Sequence, residues 1–346
     1  MEANEQIMVV IVKFIISMLS IAFMSQYADS LGDLMLPPEE REQREQGGAA
    51  LRELQERLGL DASTHFSSHE ILVAGGLVTP GGGGFGEIGG HTRVKEELML
   101  HVVVPLRYHD LFFSDARLQP PAGVLFTGPP GTGKTMLARA LAQECKVPFL
   151  AVKTDLVEQK YFGESEKVIK AIFSFASKIA PCVVFIDEID GLMRDRSDFE
   201  QAATYSIKTQ LLQEIDRLEY EKKPIVLIAA TNNVASLDKA LYRRLPRAYT
   251  IEKPDAEARR EIFRKCIEDE PQTRQLRKYE KWIVEQTAGF SGADLKNMYR
   301  SAKALRNEAF TRVLAERGEV TSSPGTITKA HLTAAIARTK ASSFLA

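Results

Sequence analysis

The stretch of sequence that decides the fold is Gly128-Pro129-Pro130-Gly131-Thr132-Gly133-Lys134-Thr135. It follows an apolar run over residues 123–127 that predicts a buried strand, and a helical pattern over residues 135–145 comes after it. Glycines at these positions let the backbone wrap around a phosphate group, and the positive end of the helix adds to the attraction. The sequence therefore predicts a phosphate-binding loop, with Met136 beside it, rather than a structural glycine turn.

Two side chains of this loop are suited to a nucleotide bound with a metal ion. Lys134 is expected to reach the β- and γ-phosphates, and Thr135 offers a hydroxyl ligand to Mg²⁺. An acidic pair, Asp187-Glu188, follows the apolar run over residues 183–186. Because ligands bind beyond the carboxyl ends of the strands in such sheets, we expect Asp187 to join the Mg²⁺ shell and Glu188 to polarise the attacking water. Taken alone, the acidic pair also fits a core strand that simply meets solvent.

Two further segments carry polar groups that suit phosphate chemistry. Asn232 follows the apolar run over residues 226–230, and its amide is expected to bind the water or the γ-phosphate; a turn cap is the alternative. Arg243 and Arg244 lie in an arginine-rich segment that ends at Arg247. A loop arginine can stabilise the charge that develops on a phosphate, in its own site or in a neighbour's, or it can simply be solvated.

The order of apolar runs and helical patterns predicts an α/β fold. Strand-like and helical stretches alternate from residue 102 onward, which indicates a parallel sheet with helices on both faces. After Pro254 only helical patterns follow, so we expect a small all-helical lid subdomain. The predicted parts are a membrane anchor (1–28), a linker with a short helix and a glycine-rich hinge (29–84), a large α/β subdomain (85–253) and the lid (254–346).

The predicted anchor is an 18-residue stretch, residues 7–24, that just reaches the length of a membrane-spanning helix. Its eleven Ile, Val, Leu and Phe residues favour insertion by about 3 to 7 kcal/mol in sum, against about 2.5 to 3.5 kcal/mol for Lys13. No small-residue cleavage site follows, and the apolar residues surround the helix instead of forming one stripe. The pattern therefore favours an anchor over a signal peptide, a surface helix or a core helix.

Composition argues against several classes of protein. The 346 residues carry a net charge of -1, which gives no case for a nucleic-acid binder. Cys145, Cys182 and Cys266 are far apart and show no CxxC spacing, so neither a disulfide framework nor a zinc site is expected. His65 and His69 have helical spacing, yet no third metal ligand is near them in the sequence.

Together these segments resemble the AAA+ family of ATPases over about residues 85 to 341. The motifs that match in order and spacing are Ile88-Gly89-Gly90, the phosphate loop, Phe185-Ile186-Asp187-Glu188-Ile189-Asp190, Ala230-Thr231-Asn232, Asp238-Lys239-Ala240-Leu241-Tyr242-Arg243-Arg244 and Gly289-Phe290-Ser291-Gly292-Ala293-Asp294-Leu295. The resemblance implies a ring, usually a hexamer, with ATP and Mg²⁺ bound between subunits. It makes Asn232 a sensor of the nucleotide and lets Arg243 and Arg244 act on the neighbour's nucleotide. The residues it assigns beside the nucleotide are Ile88, Gly89, Gly292 and Ala293.

The resemblance also extends to the loops that line the pore of such rings. Residues 160–166 match the family's first pore loop, in which Tyr161 and Phe162 would grip an extended chain; ordinary core aromatics are the alternative. The second pore loop would be residues 194–203. Within the family, the predicted anchor and the string at residues 243–246 look most like the meiotic-clade extractases of the outer mitochondrial membrane and the peroxisome.

The function implied by this resemblance is a membrane-anchored, ATP-driven translocase with its ATPase module in the cytosol, at the outer mitochondrial membrane or the peroxisome. It would extract mislocalised tail-anchored proteins by threading them through the pore of a homo-hexamer, and no nucleic-acid partner is expected. A soluble meiotic-clade remodeller, which severs microtubules or disassembles membrane-scission filaments, is the alternative. The intact Lys134, Asp187, Glu188 and Arg244 argue against a scaffold that binds ATP without hydrolysing it.

Overall fold

The computed structural model describes residues 64–78, 82–114, 120–158, 164–193, 201–268, 273–317 and 325–343, with positions 52, 55, 56, 118 and 270. The chain divides into two units, residues 1–75 and 76–346. In the first unit, helix α1 (Ser68–Ala74) begins with a capping box: Ser67 Oγ accepts from the Glu70 amide, and the Glu70 carboxylate accepts from the Ser67 amide.

The predicted membrane anchor, residues 7–24, lies outside the described residues. Within the ranges that are described, no helix is both long enough and apolar enough to span a membrane. The anchor therefore remains a prediction from the sequence.

Six strands of the second unit form one sheet in the order β1-β3-β4-β5-β2-β6. The strands are β1 (Leu77–Val78), β2 (Gly123–Thr127), β3 (Phe149–Val152), β4 (Cys182–Ile186), β5 (Ile225–Thr231) and β6 (Arg247–Thr250). Every neighbouring pair is parallel except β1 and β3, which run antiparallel with Leu77 opposite Leu150. The prediction of a parallel sheet is confirmed for five strands. It is wrong for the edge strand β1, because two residues are too few to show a strand pattern.

The helices of the large subdomain connect and cover these strands. They are α2 (Thr92–Leu98), α3 (Val104–Arg107), α4 (His109–Phe112), α5 (Lys134–Cys145), α6 (Thr154–Glu158), α7 (Glu164–Lys178), α8 (Gln201–Glu221) and α9 (Lys239–Arg244). A π-helical stretch joins α2 to α3, from Met99 to Val103. Single 3₁₀ turns span Gly84–Glu87, Gly191–Met193 and Val234–Ser236.

The central strands are covered on both faces. All residues of β2, β4 and β5 are buried, as expected of parallel strands between two layers of helices. On one face, Val183 and Phe185 of β4 share a core with Leu137 and Leu141 of α5. Val184, which points to the opposite side of the pleat, is equally buried, and α7 also packs against β4. The carboxyl ends of β2, β4 and β5 therefore lie side by side at one edge of a rigid sheet.

The glycine-rich stretch from residue 75 to residue 90, which includes the end of the predicted hinge, is packed where it is described. Its edge strand β1 pairs in the sheet, and Phe85 and Ile88 are buried in the core beside α5. The Phe85 amide also donates to the Glu144 carboxylate at 2.8 Å. The side chains between the glycines therefore make contacts that glycine content does not reveal.

Beyond Pro254 the described chain is helical, which confirms the predicted all-helical part of the fold. Its helices are α10 (Ala256–Cys266), α11 (Thr273–Leu276), α12 (Glu280–Gln286), α13 (Gly292–Arg317) and α14 (Lys329–Ser343), with a 3₁₀ turn at Arg277–Tyr279. Asp255 caps α10 by accepting from the Ala258 amide at 2.8 Å. The lid has a core of its own, in which Phe263 of α10 packs with Met298 of α13 and Leu332 of α14.

Candidate nucleotide site

The loop between β2 and α5 has a backbone that side chains would obstruct. Gly128, Gly131 and Gly133 have φ values of +134°, +73° and +101°, a region that favours glycine. A Cβ atom on Gly128 would lie 2.2 Å from the Ile251 carbonyl oxygen, and one on Gly131 would lie 2.9 Å from Ser291 Oγ. All three glycines suit the conformation of the loop, and Gly128 and Gly131 are also needed for its closeness to Ile251 and the lid.

Lys134 opens helix α5 and turns its ammonium back over the loop. It donates to the carbonyl oxygens of Gly128 at 2.8 Å and Pro129 at 2.9 Å, and to the side-chain oxygen of Asn232 at the end of β5. Its side chain is buried, and this burial lowers the pKa of Lys134 although carboxylates, first among them Asp187, oppose the shift. The ammonium is therefore held at the carboxyl ends of β2 and β5.

The acidic pair after β4 meets the loop from the other side. The Thr135 hydroxyl donates to Asp187 Oδ2 at 2.6 Å, and the Glu188 amide donates to Asp187 Oδ1 at 3.0 Å. Glu188 adopts a left-handed conformation with φ +47°, which is uncommon for a non-glycine residue and costs it energy. Nearby, the buried Thr231 hydroxyl donates to Asp190 at 2.8 Å, which ties the ends of β4 and β5 together.

These groups share one cavity of about 770 Å³. The residues predicted from the sequence that line it are Ile88, Gly89, Pro130, Gly131, Thr132, Gly133, Lys134, Thr135, Met136, Asp187, Glu188, Asn232, Gly292 and Ala293. Gly128 and Pro129 adjoin it through their bonds to Lys134. The structure thus brings together residues that are up to about two hundred positions apart in the sequence, from the loop, two strand ends and the lid.

The lid closes one side of this cavity by direct contact with the loop. The Ala293 amide, in the first turn of α13, donates to the Gly131 carbonyl oxygen at 3.0 Å. On the far side, the Gly90 amide donates to the Glu261 carboxylate of α10 at 2.7 Å. A Cβ atom on Gly89 would lie 2.8 Å from the Ile262 amide nitrogen, so this approach also needs glycine.

Two of the predicted site residues, both arginines, are not brought to the cavity, and two others lie outside the described residues. Neither Arg243 nor Arg244 is among the described residues that line it. Arg243 is exposed, and the Arg244 guanidinium forms a two-pronged pair with Asp216 of α8, with Nη2 2.8 Å from Oδ2. Tyr161 and Phe162, the predicted first pore loop, lie outside the described residues, as do residues 194–200 of the second.

The cavity also contains residues that were not predicted. They are Glu87, His91, Ile262, Lys265, Cys266, Glu268 and Lys296. Ile262, Lys265 and Cys266 have the spacing of one helical face, which the sequence shows as part of a helix. Nothing in the sequence indicates that this face meets the phosphate loop, because that depends on how the lid folds back.

The comparisons with known proteins agree with this geometry. Residues 124–253 match the family described as the ATPase family associated with various cellular activities (AAA). The outer mitochondrial transmembrane helix translocase of Danio rerio is 35% identical over 268 residues, which cover 77% of this chain and 73% of that protein. The solved AAA domain of FIGL-1 in complex with ADP aligns with a TM-score of 0.67 at 28% identity, over 80% of this chain and 91% of that one. A solved katanin structure aligns with a TM-score of 0.65 at 28% identity, over 80% and 92% of the two chains.

A covered sheet with a glycine-rich phosphate loop and an acidic strand end defines a nucleoside-triphosphatase of the P-loop class. The chain belongs to the AAA family of ATPases. Its similar structures, FIGL-1 and katanin, are of the meiotic clade, which confirms the resemblance found in the sequence. The protein is therefore an ATP hydrolase that binds adenine nucleotide.

Proposed function

We propose that this ATPase is a membrane-anchored translocase that extracts mislocalised tail-anchored membrane proteins by threading them through the pore of a homo-hexamer. The observation that carries the proposal is its similarity to a translocase named for transmembrane helices, over 73% of that protein's length. The predicted anchor at residues 7–24 supports it, because an extractase must stay beside the bilayer it serves. We assign the ATPase module to the cytosol, at the outer mitochondrial membrane or the peroxisome.

The phosphate loop and its neighbours suit a Mg²⁺–ATP complex. The amides of residues 130–134 and the Lys134 ammonium would hold the phosphates. The Thr135 hydroxyl and the Asp187 carboxylate, 2.6 Å apart, supply the oxygen ligands that Mg²⁺ prefers. When bound, Mg²⁺ neutralises negative charge on the phosphate oxygens.

Glu188 is our candidate for activating the attacking water. Glu188 lines the cavity, and its left-handed backbone is tied to Asp187 through the amide. It would accept the proton of the water as the water attacks the γ-phosphate. Asn232, which already contacts Lys134, would bind the γ-phosphate or orient that water. Ile88, Gly89, Gly292 and Ala293 would flank the rest of the nucleotide.

Arg243 and Arg244 are assigned to the nucleotide of a neighbouring subunit. The support for this assignment is that neither arginine lines its own cavity, combined with the family's tendency to place such arginines between subunits. A guanidinium there would stabilise the charge that develops on the transferred phosphate. Arg244 would have to exchange its pairing with Asp216 for the neighbour's phosphate or share itself between them.

A soluble remodeller remains the second candidate, favoured by one observation. The solved structures of FIGL-1 and katanin have a similar fold over 80% of this chain. In that case the pore would act on a cytoskeletal or filament subunit. The catalytic roles proposed above would be unchanged.

Extraction from a membrane distinguishes the two candidates. Full-length protein is reconstituted in liposomes with a labelled tail-anchored client, and ATP-dependent release of the client is measured. We expect release by the wild type, no release by Tyr161→Ala with its ATP turnover intact, and retained release by Tyr161→Phe, which keeps the aromatic ring. Unchanged release by Tyr161→Ala would remove Tyr161 from the pore. Wild type that turns over ATP but releases no client would favour the remodeller.

A further inference from the structure

His91 lies between the Ile88-Gly89-Gly90 segment and helix α2, on the wall of the nucleotide cavity. Its backbone is left-handed, with φ +56°, and its side chain makes no capping bond to α2. The ring instead approaches the phosphate loop, with Nε2 3.3 Å from the Thr132 carbonyl oxygen. A carbonyl oxygen can only accept, so the ring must donate through an Nε2–H.

This bond is one of three hydrogen bonds that hold consecutive carbonyl groups of the loop. The Gly131 carbonyl accepts from the Ala293 amide of the lid at 3.0 Å, and the Gly133 carbonyl accepts from the Leu137 amide of α5 at 2.8 Å. Thr132 lies between them, and its carbonyl is the one held by a side chain. Three consecutive carbonyl groups are therefore fixed by three separate elements of the fold.

The orientation of each carbonyl sets the orientation of the next amide. A peptide unit is planar and trans, so its C=O and N–H point in opposite directions. A donor that holds the Thr132 carbonyl therefore turns the Gly133 N–H to the opposite side, away from the His91 ring. Inward amides are the groups that bind phosphate in such a loop.

We propose that His91 is a positioning residue for the polyphosphate, acting through the peptide between Thr132 and Gly133. The proposal rests on the phosphate-binding role assigned to the loop under the proposed function. His91 does not touch the phosphates in this account; it orients an amide that does. Preorganised donors of this kind contribute because they need no rearrangement when the ligand arrives.

The surroundings of His91 are compatible with a donating neutral ring. Burial lowers the pKa of His91, and the Lys95 ammonium acts in the same direction, while the Thr132 carbonyl and Asp255 act against them. A neutral imidazole carries one N–H, and the bond to Thr132 selects the Nε2 tautomer. Lys95 in turn donates to the Ile88 carbonyl. Residues 88–91 are therefore held at both ends, at Ile88 by Lys95 and at His91 by its bond to Thr132.

Three substitutions at His91 test whether the hydrogen bond to Thr132 requires a donor of the right length. His91→Gln keeps an N–H donor at similar reach, His91→Leu keeps apolar volume without a donor, and His91→Asn keeps a donor that is too short. Asn also tolerates the left-handed backbone at position 91, so this variant keeps its fold if Leu does not. Thermal unfolding without nucleotide reports that each full-length variant is folded.

The readout is the affinity of full-length protein in detergent for ADP and for AMP, which lacks the β-phosphate. We expect His91→Leu and His91→Asn to bind ADP about tenfold more weakly, the effect of one hydrogen bond, with AMP affinity unchanged and His91→Gln close to wild type. The KM for ATP should rise by a similar factor, with a smaller change in kcat. Equal losses for ADP and AMP, no loss, or no rescue by Gln would each overturn the proposal. Wild type that fails to bind ADP would instead refute the loop's assignment, independently of His91.

Discussion

The phosphate loop and the arginine segment are both rich in groups that bind phosphate, yet only the loop meets the cavity of its own chain. Lys134 and Thr135 contact groups at the ends of β5 and β4, whereas Arg243 is exposed and Arg244 pairs with Asp216. We infer that one chain binds the nucleotide and activates water, and that a second copy supplies the positive charge of the arginines.

Removing the loop's ammonium should have the largest effect. Lys134→Ala should weaken ADP binding at least roughly a hundredfold, because a charged donor to the phosphates is lost. Isothermal titration of the full-length protein measures this. Lys153→Ala, which removes an exposed lysine just after β3, is the matched control and should bind normally. Retained tight binding by Lys134→Ala would refute the phosphate-loop assignment.

Glu188→Gln should separate ATP binding from ATP hydrolysis at the phosphate-loop site. ATP affinity should stay near that of the wild type, while turnover falls by about 10²–10⁴-fold because the amide accepts no proton from the water. Phosphate release at saturating ATP is the measurement, with the exposed Glu252→Gln as control. Normal turnover by Glu188→Gln would take this carboxylate out of the mechanism.

Arg244→Ala tests the role of the arginine segment. ADP affinity should be unchanged, since Arg244 is not among the residues that line its own cavity. Turnover should fall by roughly a hundredfold or more, because a guanidinium facing the transferred phosphate is lost. Steady-state phosphate release, measured alongside ADP titration of the same sample, checks both statements.

Mixing two inactive variants shows which chain the arginine serves. Lys134→Ala has no working site but keeps Arg244, and Arg244→Ala has the reverse. If the arginine acts on a neighbour, mixed assemblies should recover part of the activity that neither variant has alone. If mixing restores nothing although the chains co-assemble, the arginine acts within its own chain and the contrast between the two regions disappears.

The smallest effect is expected from the partner of Arg244. Asp216 is half exposed, so its pair should stabilise the fold by only about 0.2–1 kcal/mol, and Asp216→Ala should lower the thermal midpoint by a few degrees at most. Hydrogen bonding to Arg244 lowers the pKa of Asp216. The stabilisation is therefore present above the ordinary aspartate pKa of 3.8 and is lost as the pH falls through the lowered value.

Two measurements check this prediction. Thermal unfolding of wild type and Asp216→Ala across an acidic pH series should show the two midpoints converging at low pH. ATP turnover at neutral pH should stay close to wild type, because Asp216 only holds the arginine between encounters. A collapse of turnover in Asp216→Ala would show that the carboxylate takes part in presenting Arg244.

The parts of the site that could be predicted from the sequence are those whose roles follow from their immediate neighbours. The loop at residues 128–135 is recognisable because glycines, a lysine and a hydroxyl stand between a strand and a helix. Asp187 and Glu188 are recognisable because they end a fully apolar run. The structure shows that the loop and the acidic pair meet, as expected of groups at the carboxyl ends of neighbouring parallel strands.

The parts that could not be predicted depend on tertiary placement. His91 and Lys265 carry no local signal. His91 meets the loop through its ring's bond to Thr132, and Lys265 reaches the cavity wall because the lid folds onto the loop. Strand β1 has only two residues, and its glycine-rich surroundings suggested flexibility although Phe85 is buried nearby. Local pattern reports backbone preference, whereas these contacts join segments that are far apart in the sequence.

The central claim, that ATP drives work on membrane proteins, is tested most directly by capturing the client. Full-length Glu188→Gln, with residues 1–28 intact, should hold ATP and remain on whatever it grips, whereas the double variant Lys134→Ala with Glu188→Gln should hold nothing. The account predicts that tail-anchored or other misplaced membrane proteins are enriched with the single variant alone, from a mitochondrial or peroxisomal fraction. Enrichment of tubulin or filament subunits from a soluble fraction would contradict it.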